Sequence, residues 1–419
     1  MQETDVVVIG AGAAGVAAAR RLEAARLSVV VLEARSRVGG RAWTIHASDL
    51  PLDLGCGWLH SADENEWSSI ARRLGFAIDP TPPPWSRPAH DLGFPVADQR
   101  EFGAAWNRFY KRLDEAAHDP IDRSAAEYLE PSLKWNALLD ALSSWINGAE
   151  LDRISVRDFG RYHDTGVNWR VTEGYGALIE AYAAGLNIML ECTTTLVDHS
   201  GKRVRVGTTR GDILARTVVV TVPPSVIARE SLQFKPGLPD KLEAANALPL
   251  GVADKVFLRI DDPAEFPQGV RLFGAIDRVA TGSYHLRPFG RPIIEGYFGG
   301  RFAQELENDG DGAFARFATD QIAALMGNDI RKRLHPLAAS AWSRDRFSCG
   351  SYSYAEVGHA DARTILAAPL DGRLFFAGEA CSRHDFSTAH GAYRTGVEAA
   401  EGVVSALTER GSDGATAAR

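Results

Sequence analysis

The segment from Asp5 to Glu33, DVVVIGAGAAGVAAARRLEAARLSVVVLE, constrains the fold more than any other stretch. An apolar β run from Asp5 to Ile9 meets the glycine turn Gly10-Ala11-Gly12-Ala13-Ala14-Gly15. An alanine-rich helix from Val16 to Ala25 follows, and a second strand from Ser28 to Leu32 ends in Glu33. That order implies a parallel sheet, because parallel neighbours need a crossover and the helix supplies one. Gly10 permits the tight bend, Gly12 lets backbone approach a pyrophosphate, and Gly15 allows close helix–strand packing. With Ala14 they are the candidate phosphate-binding positions. A carboxylate about 20 residues on, here Glu33, suits the ribose hydroxyls. A glycine turn alone is a weak signal; strand, helix and terminal acid together read as dinucleotide binding.

A chain of 419 residues exceeds what one compact core usually holds, which implies two domains. TPPPW, Thr81 to Trp85, with Pro88 and Pro95 beyond it, breaks regular structure and marks a crossing out of the first domain. The pattern from Glu101 to Trp145 is helical, and Phe102, Trp106, Phe109, Tyr110 and Leu113 recur at spacings that read as core. Around Gly174 the chain returns: GYGALIEAYAAGL reads as a helix, followed by strands near 188–190, 204–206 and 218–222, the last stopped by Pro223-Pro224. Residues 250–260 and 293–298 read as strands of the second domain and 313–326 as its helix, with the last crossing back between Val357 and Leu374. The expected class is α/β. A Rossmann-type domain is assembled from 1–80, 171–245 and 362–410, and a mixed α+β substrate-binding domain from 81–170 and 246–361. The polar segment 411–419 is expected to be a disordered tail.

A net charge of −8 without a basic run argues against nucleic acid as a partner. Cys56, Cys192, Cys349 and Cys381 are dispersed, which fits a reducing compartment and gives neither a disulfide nor a metal pattern. The opening MQETDVVVIG enters a strand at once, leaving no room for a signal peptide. The apolar run from Val6 to Ala19 is cut by Arg20-Arg21, short of the ~20 residues that a membrane span needs. The expectation is a soluble, cytoplasmic protein with no metal and no membrane partner; the oligomeric state, a homodimer included, stays open.

Two further segments carry the resemblance to a known family. Glu33-Ala34-Arg35-Ser36-Arg37-Val38-Gly39-Gly40-Arg41 is similar to the RxGGR flavoprotein signature. GRLFFAGEACSRHDFSTAHGAYRTGVEAA, Gly372 to Ala400, reads as a buried strand, a glycine-acid turn at Gly378-Glu379, a polar loop and a helix opening near Thr388. Unpaired N–H groups at such an opening suit a ligand edge that gathers negative charge. With the first forty residues these segments resemble the flavin-containing amine oxidases, the family of monoamine oxidases, polyamine oxidases and lysine-specific histone demethylases. The likeness runs from Asp5 to about Leu407.

The resemblance implies FAD rather than NAD. It places Ala34, Arg35, Gly39, Gly40, Arg41, Gly57, Trp58, Thr194, Trp342, Gly378, Glu379, Thr388 and Ala389 at the cofactor, with Arg41 neutralising a phosphate. Tyr352, in Cys349-Gly350-Ser351-Tyr352-Ser353, matches one wall of the aromatic cage over the flavin; a packed core tyrosine is the competing reading. The second wall falls on Thr388. Ser351 stands where monoamine oxidases carry the flavin-linking cysteine, which implies non-covalent FAD. His60 matches a substrate-side histidine of polyamine oxidases, against the alternative of a structural one. Lys255 matches the lysine that contacts flavin N5 through a water, against an exposed strand lysine; in that role its loss should alter flavin chemistry and spare folding. Asp63, Glu64 and Glu66 read as a solvated acidic loop.

The implied reaction is oxidation of a small-molecule amine by hydride transfer to N5, with oxygen as acceptor and hydrogen peroxide as product. An L-amino-acid oxidase or a desaturase on the same scaffold is an alternative; Trp58, where such oxidases place an arginine, counts against the former. A flavin-binding interaction protein with little turnover is another.

Overall fold

A computed structural model describes residues 2–416, with side chains described through Glu409. The strand Gln2–Ile9 is the centre of the architecture. Successive side chains point to opposite faces, so Val6 and Val8 join one core cluster and Val7 and Ile9 another. The first cluster lies under helices Ala13–Ala24, Tyr175–Ala183 and Ala389–Thr416; the second lies against Pro239–Asn246 and Ala362–Ala367. A strand covered on both faces must be apolar throughout, and VVVI is.

Gln2–Ile9 pairs in parallel with Val29–Leu32 and with Gly211–Val220. Ile188–Met189 extends one side, and Leu374–Phe376 joins the far half of Gly211–Val220, also in parallel. The near half of that strand pairs antiparallel with Val204–Thr208, which leads to Thr194–Asp198 and Gln233–Lys235. The sheet has eight strands in all. Three separate stretches of chain thus converge on one doubly covered sheet.

A second, antiparallel sheet has five strands in the order Val270–Phe273, Ser283–Leu286, Ile293–Gly299, Ala253–Ile260, Leu334–Ala339. Val256, Leu258, Leu272, Tyr284, Ile294 and Phe298 pack on helices Gly300–Asn308 and Ala313–Met326. The alternate residues carry polar groups. Lys255, Tyr297, Ser283 and Phe273 follow one another across four strands in register, and Phe257, Glu295, His285 and Arg271 form the next row.

The helical pattern expected through 101–145 resolves into two helices, Val96–Ala116 and Asn136–Asn147. Pro120 and Pro131 lie between them, and neither can donate to an i−4 carbonyl. The tail expected to be disordered from 411 is helical as far as Thr416, since extending an existing helix gains a hydrogen bond per residue; residues 417–419 lie outside the described residues. No helix of the described residues is long and apolar enough to cross a membrane.

Candidate active site

The glycine turn is built as its spacing requires. Gly10 has φ +104°, and a Cβ on Gly15 would sit 1.9 Å from the Gly10 carbonyl oxygen, so only hydrogen fits where the helix lies on the strand end. Gly12 caps helix Ala13–Ala24 in an extended conformation without any side-chain cap bond. Its first-turn N–H groups are left for a ligand, and Gly39 bridges to Gly12 alongside. Glu33 is buried. Its two carboxylate oxygens accept from Ala11 N at 2.8 Å and Arg35 N at 2.9 Å, fixing the loop edge. Arg35 is tied to Asp345 at 2.6 Å.

Asp53 organises the next loop. Its carboxylate accepts from Tyr175 N at 3.0 Å and Thr44 Oγ1 at 2.6 Å, capping helix Tyr175–Ala183. Its carbonyl accepts from Lys255 Nζ at 3.0 Å. A Cβ on Gly55 would stand 1.8 Å from the Arg41 carbonyl oxygen, and one on Gly57 would stand 3.1 Å from Lys255 Nζ. Glycine is needed at Gly55 so that the chain can pass the arginine loop, and at Gly57 it leaves room beside the lysine.

Lys255 is buried, which removes the exposed-lysine alternative. Its ammonium also pairs with Glu295 at 3.2 Å, and Glu295 pairs in turn with Arg170 at 2.9 Å. Burial pushes the Glu295 carboxyl up, but Arg170 and then Lys255 outweigh it and hold the group well below the usual carboxylate range. Lys255 therefore also belongs to a buried charge network. The expectation that its loss would spare folding is corrected: Glu295, wholly buried, would keep only one of its two cations.

His60 is positioned by the Leu59–Trp169 bridge, which brings its ring to Asn168. Asn168 donates through Nδ2 to the Gly166 carbonyl, so its Oδ1 accepts from His60 Nδ1 at 2.6 Å. The second ring nitrogen, Nε2, is left as a bare acceptor. Burial lowers the His60 pKa below its ordinary value, so the ring is neutral. Trp85, 45% exposed, meets Trp58 edge-on with centroids 4.5 Å apart.

Tyr352 Oη donates to the Trp145 carbonyl at 2.6 Å. Ser351 Oγ donates to the Gly251 carbonyl at 2.9 Å. Glu379 is ionised: burial pushes it up, yet Arg41 and Ser353 hold it below the usual range. It accepts from Arg41 Nη1 at 2.8 Å, Ser353 Oγ at 2.6 Å and Ser387 N at 2.9 Å. Arg41 Nη1 donates to Glu379 and to the Ser351 carbonyl, tying three loops together, while Arg41 lines the cavity. Thr388 Oγ1 donates to the Asp385 carbonyl and accepts from Gly391 N at 3.0 Å, which makes it the N-cap of the last helix.

One cavity of about 1340 Å³ collects these groups. It runs from Gly10, Gly12, Ala14, Glu33, Ala34, Arg35, Gly39, Gly40 and Arg41, past Thr194, Trp342, Gly378 and Glu379. It then reaches Gly57, Trp58, His60, Lys255, Tyr352, Thr388 and Ala389. Gly15 alone of the expected set does not line it, because it lies under the helix. The residues fit a dinucleotide of flavin type: a helix opening with no protein cap, glycines at the closest approach, and buried polar atoms without protein partners at Arg35 Nε and Thr194 Oγ1.

Several lining residues were not anticipated. Phe102, Trp106 and Tyr110, read as core, line the cavity, while Phe109 and Leu113 are core. Arg271, His285 and Tyr297 also line it, from the antiparallel sheet. Ser283 and His285 alternate with Tyr284 and Leu286 at period two, a weak strand signal, whereas Arg271 is the one charged residue of its four-residue strand. Asp63, Glu64 and Glu66 do not line it; Glu64 pairs with His163 and Glu66 with Arg394.

Comparison with known proteins agrees with this geometry. The family model for flavin containing amine oxidoreductases matches residues 13–159 and 154–404. A polyamine oxidase of Oryza sativa subsp. japonica, polyamine oxidase 4, is 32% identical over 94% of this chain and 88% of its own length. Polyamine oxidase 2 of Arabidopsis thaliana is 31% identical over 97% of this chain and 89% of its own. Among solved structures, a putrescine oxidase bound to putrescine superposes with TM-score 0.79 at 17% identity, covering 96% of this chain and 99% of that one. The cyclohexylamine oxidase of Brevibacterium oxydans IH-35A does so with TM-score 0.76 at 20% identity, covering 97% and 99%; at these identities the likeness shows the fold. The chain belongs to the flavin containing amine oxidoreductase family, and its cofactor is a flavin.

Proposed function

We propose that the chain oxidises an amine with a non-covalently held FAD. The bound flavin would take hydride from the α-carbon at N5, leaving an imine that water hydrolyses to a carbonyl compound, and oxygen would accept the electron pair as hydrogen peroxide. The observation that carries this reading is the continuity of one cavity from the capless helix at Gly12 to His60, Lys255 and Tyr352.

The protein's own contributions follow from its geometry. Gly12 and the first turn of helix Ala13–Ala24 would hold the pyrophosphate, and Glu33, which orders the loop edge, would stand at the ribose end. The start of helix Ala389–Thr416 lines the cavity, and its unpaired N–H groups and dipole would stabilise negative charge that gathers on a bound flavin. Neutral His60 accepts through Nε2 from the substrate nitrogen, and Trp58, Trp85 and Tyr352 keep water away. On this reading residues 1–80, 171–245 and 362–410 would form the cofactor unit and 81–170 with 246–361 the substrate unit, with Lys255 and Trp342 reaching to the cofactor from the second and Trp58 and His60 to the substrate from the first.

The absence of a flavin bond rests on the thiols near the cavity. Ser351 replaces the linking cysteine, and Cys349 Sγ turns to the Arg346 carbonyl at 3.6 Å. Cys56 lines the cavity, but its thiol is pushed up to about 12, by burial and then by Asp53, so it is a poor nucleophile. Acid precipitation should leave the yellow FAD in the supernatant; flavin fluorescence that stays with the polypeptide on a denaturing gel overturns this part.

Screening amines for peroxide release tests the reaction. With the best amine, kcat/KM should rise with pH as the ammonium form gives way to the neutral amine. His60 adds no inflection above its ordinary value near pH 6.5, because a lowered pKa leaves it neutral throughout that range. Peroxide in the absence of carbonyl product, or a rate that falls from pH 7 to 9, contradicts the scheme.

A further inference from the structure

Arg271 is a cation of the substrate chamber with no acid to match it. It lies on the cavity-facing side of the antiparallel sheet, in the row Phe257–Glu295–His285–Arg271. The cavity-lining Lys255 of the same face is neutralised by Glu295. Arg271 makes no ion pair among the described residues. Its Nε donates to Ser283 Oγ at 2.7 Å, and its guanidinium lies over Phe273 at 4.2 Å and Trp145 at 5.4 Å. Both rings line the cavity with it. Burial pulls its pKa down to about 10 with no carboxylate to offset the cost. Two aromatic faces and a serine hold the fork in place, and the two terminal nitrogens have no protein acceptor.

The rest of the chamber leans the same way. Arg87 and Arg100 are exposed lining residues, and Asp164 is the exposed acid of the lining. Such a lining suits a substrate with an anionic end better than one with several ammonium groups. Arg271 lies three strands from Lys255, roughly 14 Å across the sheet at about 4.8 Å per strand. The anion would therefore be remote from the carbon that reacts.

We infer that the substrate is an amine carrying a carboxylate several bonds from the oxidised carbon, and that Arg271 binds that carboxylate through its two terminal nitrogens. The inference rests on the amine oxidase reading above and narrows its substrate class. The chemistry at the amine end is unchanged.

The test compares ω-aminohexanoate with hexylamine, the matching α,ω-diamine and the α-amino isomer norleucine, by oxygen uptake of the FAD-loaded enzyme. For the wild type, kcat/KM should be at least tenfold higher for ω-aminohexanoate than for hexylamine or the diamine. Arg271→Met should abolish that preference by raising KM for the carboxylate while changing hexylamine less than threefold, and Arg271→Lys should recover part of it. FAD content and melting temperature of each variant separate loss of binding from loss of fold, and the wild-type ranking needs no variant at all. A preference for the diamine, a preference for norleucine, or an equal loss for all amines in Arg271→Met overturns the inference and leaves the oxidase reading standing. If no amine is turned over by enzyme with its full complement of FAD, the oxidase reading falls and this inference with it.

Discussion

Glu295→Gln should lower folding stability by about 3–5 kcal/mol, the range for breaking a buried ion pair by removing one partner. Glu295 is 0% exposed and lies between Arg170 at 2.9 Å and Lys255 at 3.2 Å. Glutamine keeps the volume, so no cavity forms. What changes is that two buried cations lose the carboxylate they pair with directly. Arg170 has Trp58 at 5.0 Å and Phe289 at 4.8 Å as partial consolation, since a ring face attracts a guanidinium. Urea unfolding gives the loss directly. Adding Arg170→Met to Glu295→Gln should return part of it, because that removes one of the stranded charges. A loss below about 1 kcal/mol would mean that the network is hydrated and contributes as little as a surface pair does.

Lys255→Met should slow flavin reduction, reoxidation or both at least tenfold, equivalent to about 1.4 kcal/mol of barrier. It should also destabilise, by less than Glu295→Gln does, because Glu295 would still have Arg170. Lys255 Nζ stands beside Gly57 and the Asp53 carbonyl, at the wall of the cavity. A purely structural lysine would show the stability loss with unchanged half-reactions once FAD content is matched. Stopped-flow traces of both half-reactions on FAD-saturated protein separate the cases: each within twofold of wild type confines Lys255 to the charge network.

Much of this was readable in the chain because it is local. The run from Asp5 to Glu33 holds its own strand, turn, helix and acid, and the structure forms them in that order, with the first strand and the helix each beginning three residues earlier than the pattern puts them. The strand Leu374–Phe376 and the helix start beside Thr388 are local in the same sense. What the chain hid is set by long-range contact. Nothing near Lys255 announces Glu295, and nothing near either announces Arg170. Phe102, Trp106 and Tyr110 have the spacing of core residues, and helical periodicity does not say whether the facing element is protein or a chamber. Arg271 is one charged residue in a short strand, and only the sheet register puts it on the same face as Lys255. Thr388 was legible as a lining position but not as a helix cap, because the cap depends on the turn from Asp385.

The central claim is that this cavity holds an FAD which an amine reduces directly. Anaerobic mixing of the FAD-loaded protein with a panel of mono-, di- and carboxylated amines tests it most directly. For at least one amine the oxidised flavin absorbance should disappear in a single saturable phase, faster at higher pH, and should return when oxygen is admitted, with one peroxide formed per flavin. Oxidised flavin that persists with every amine, in protein carrying its full complement of FAD, contradicts it.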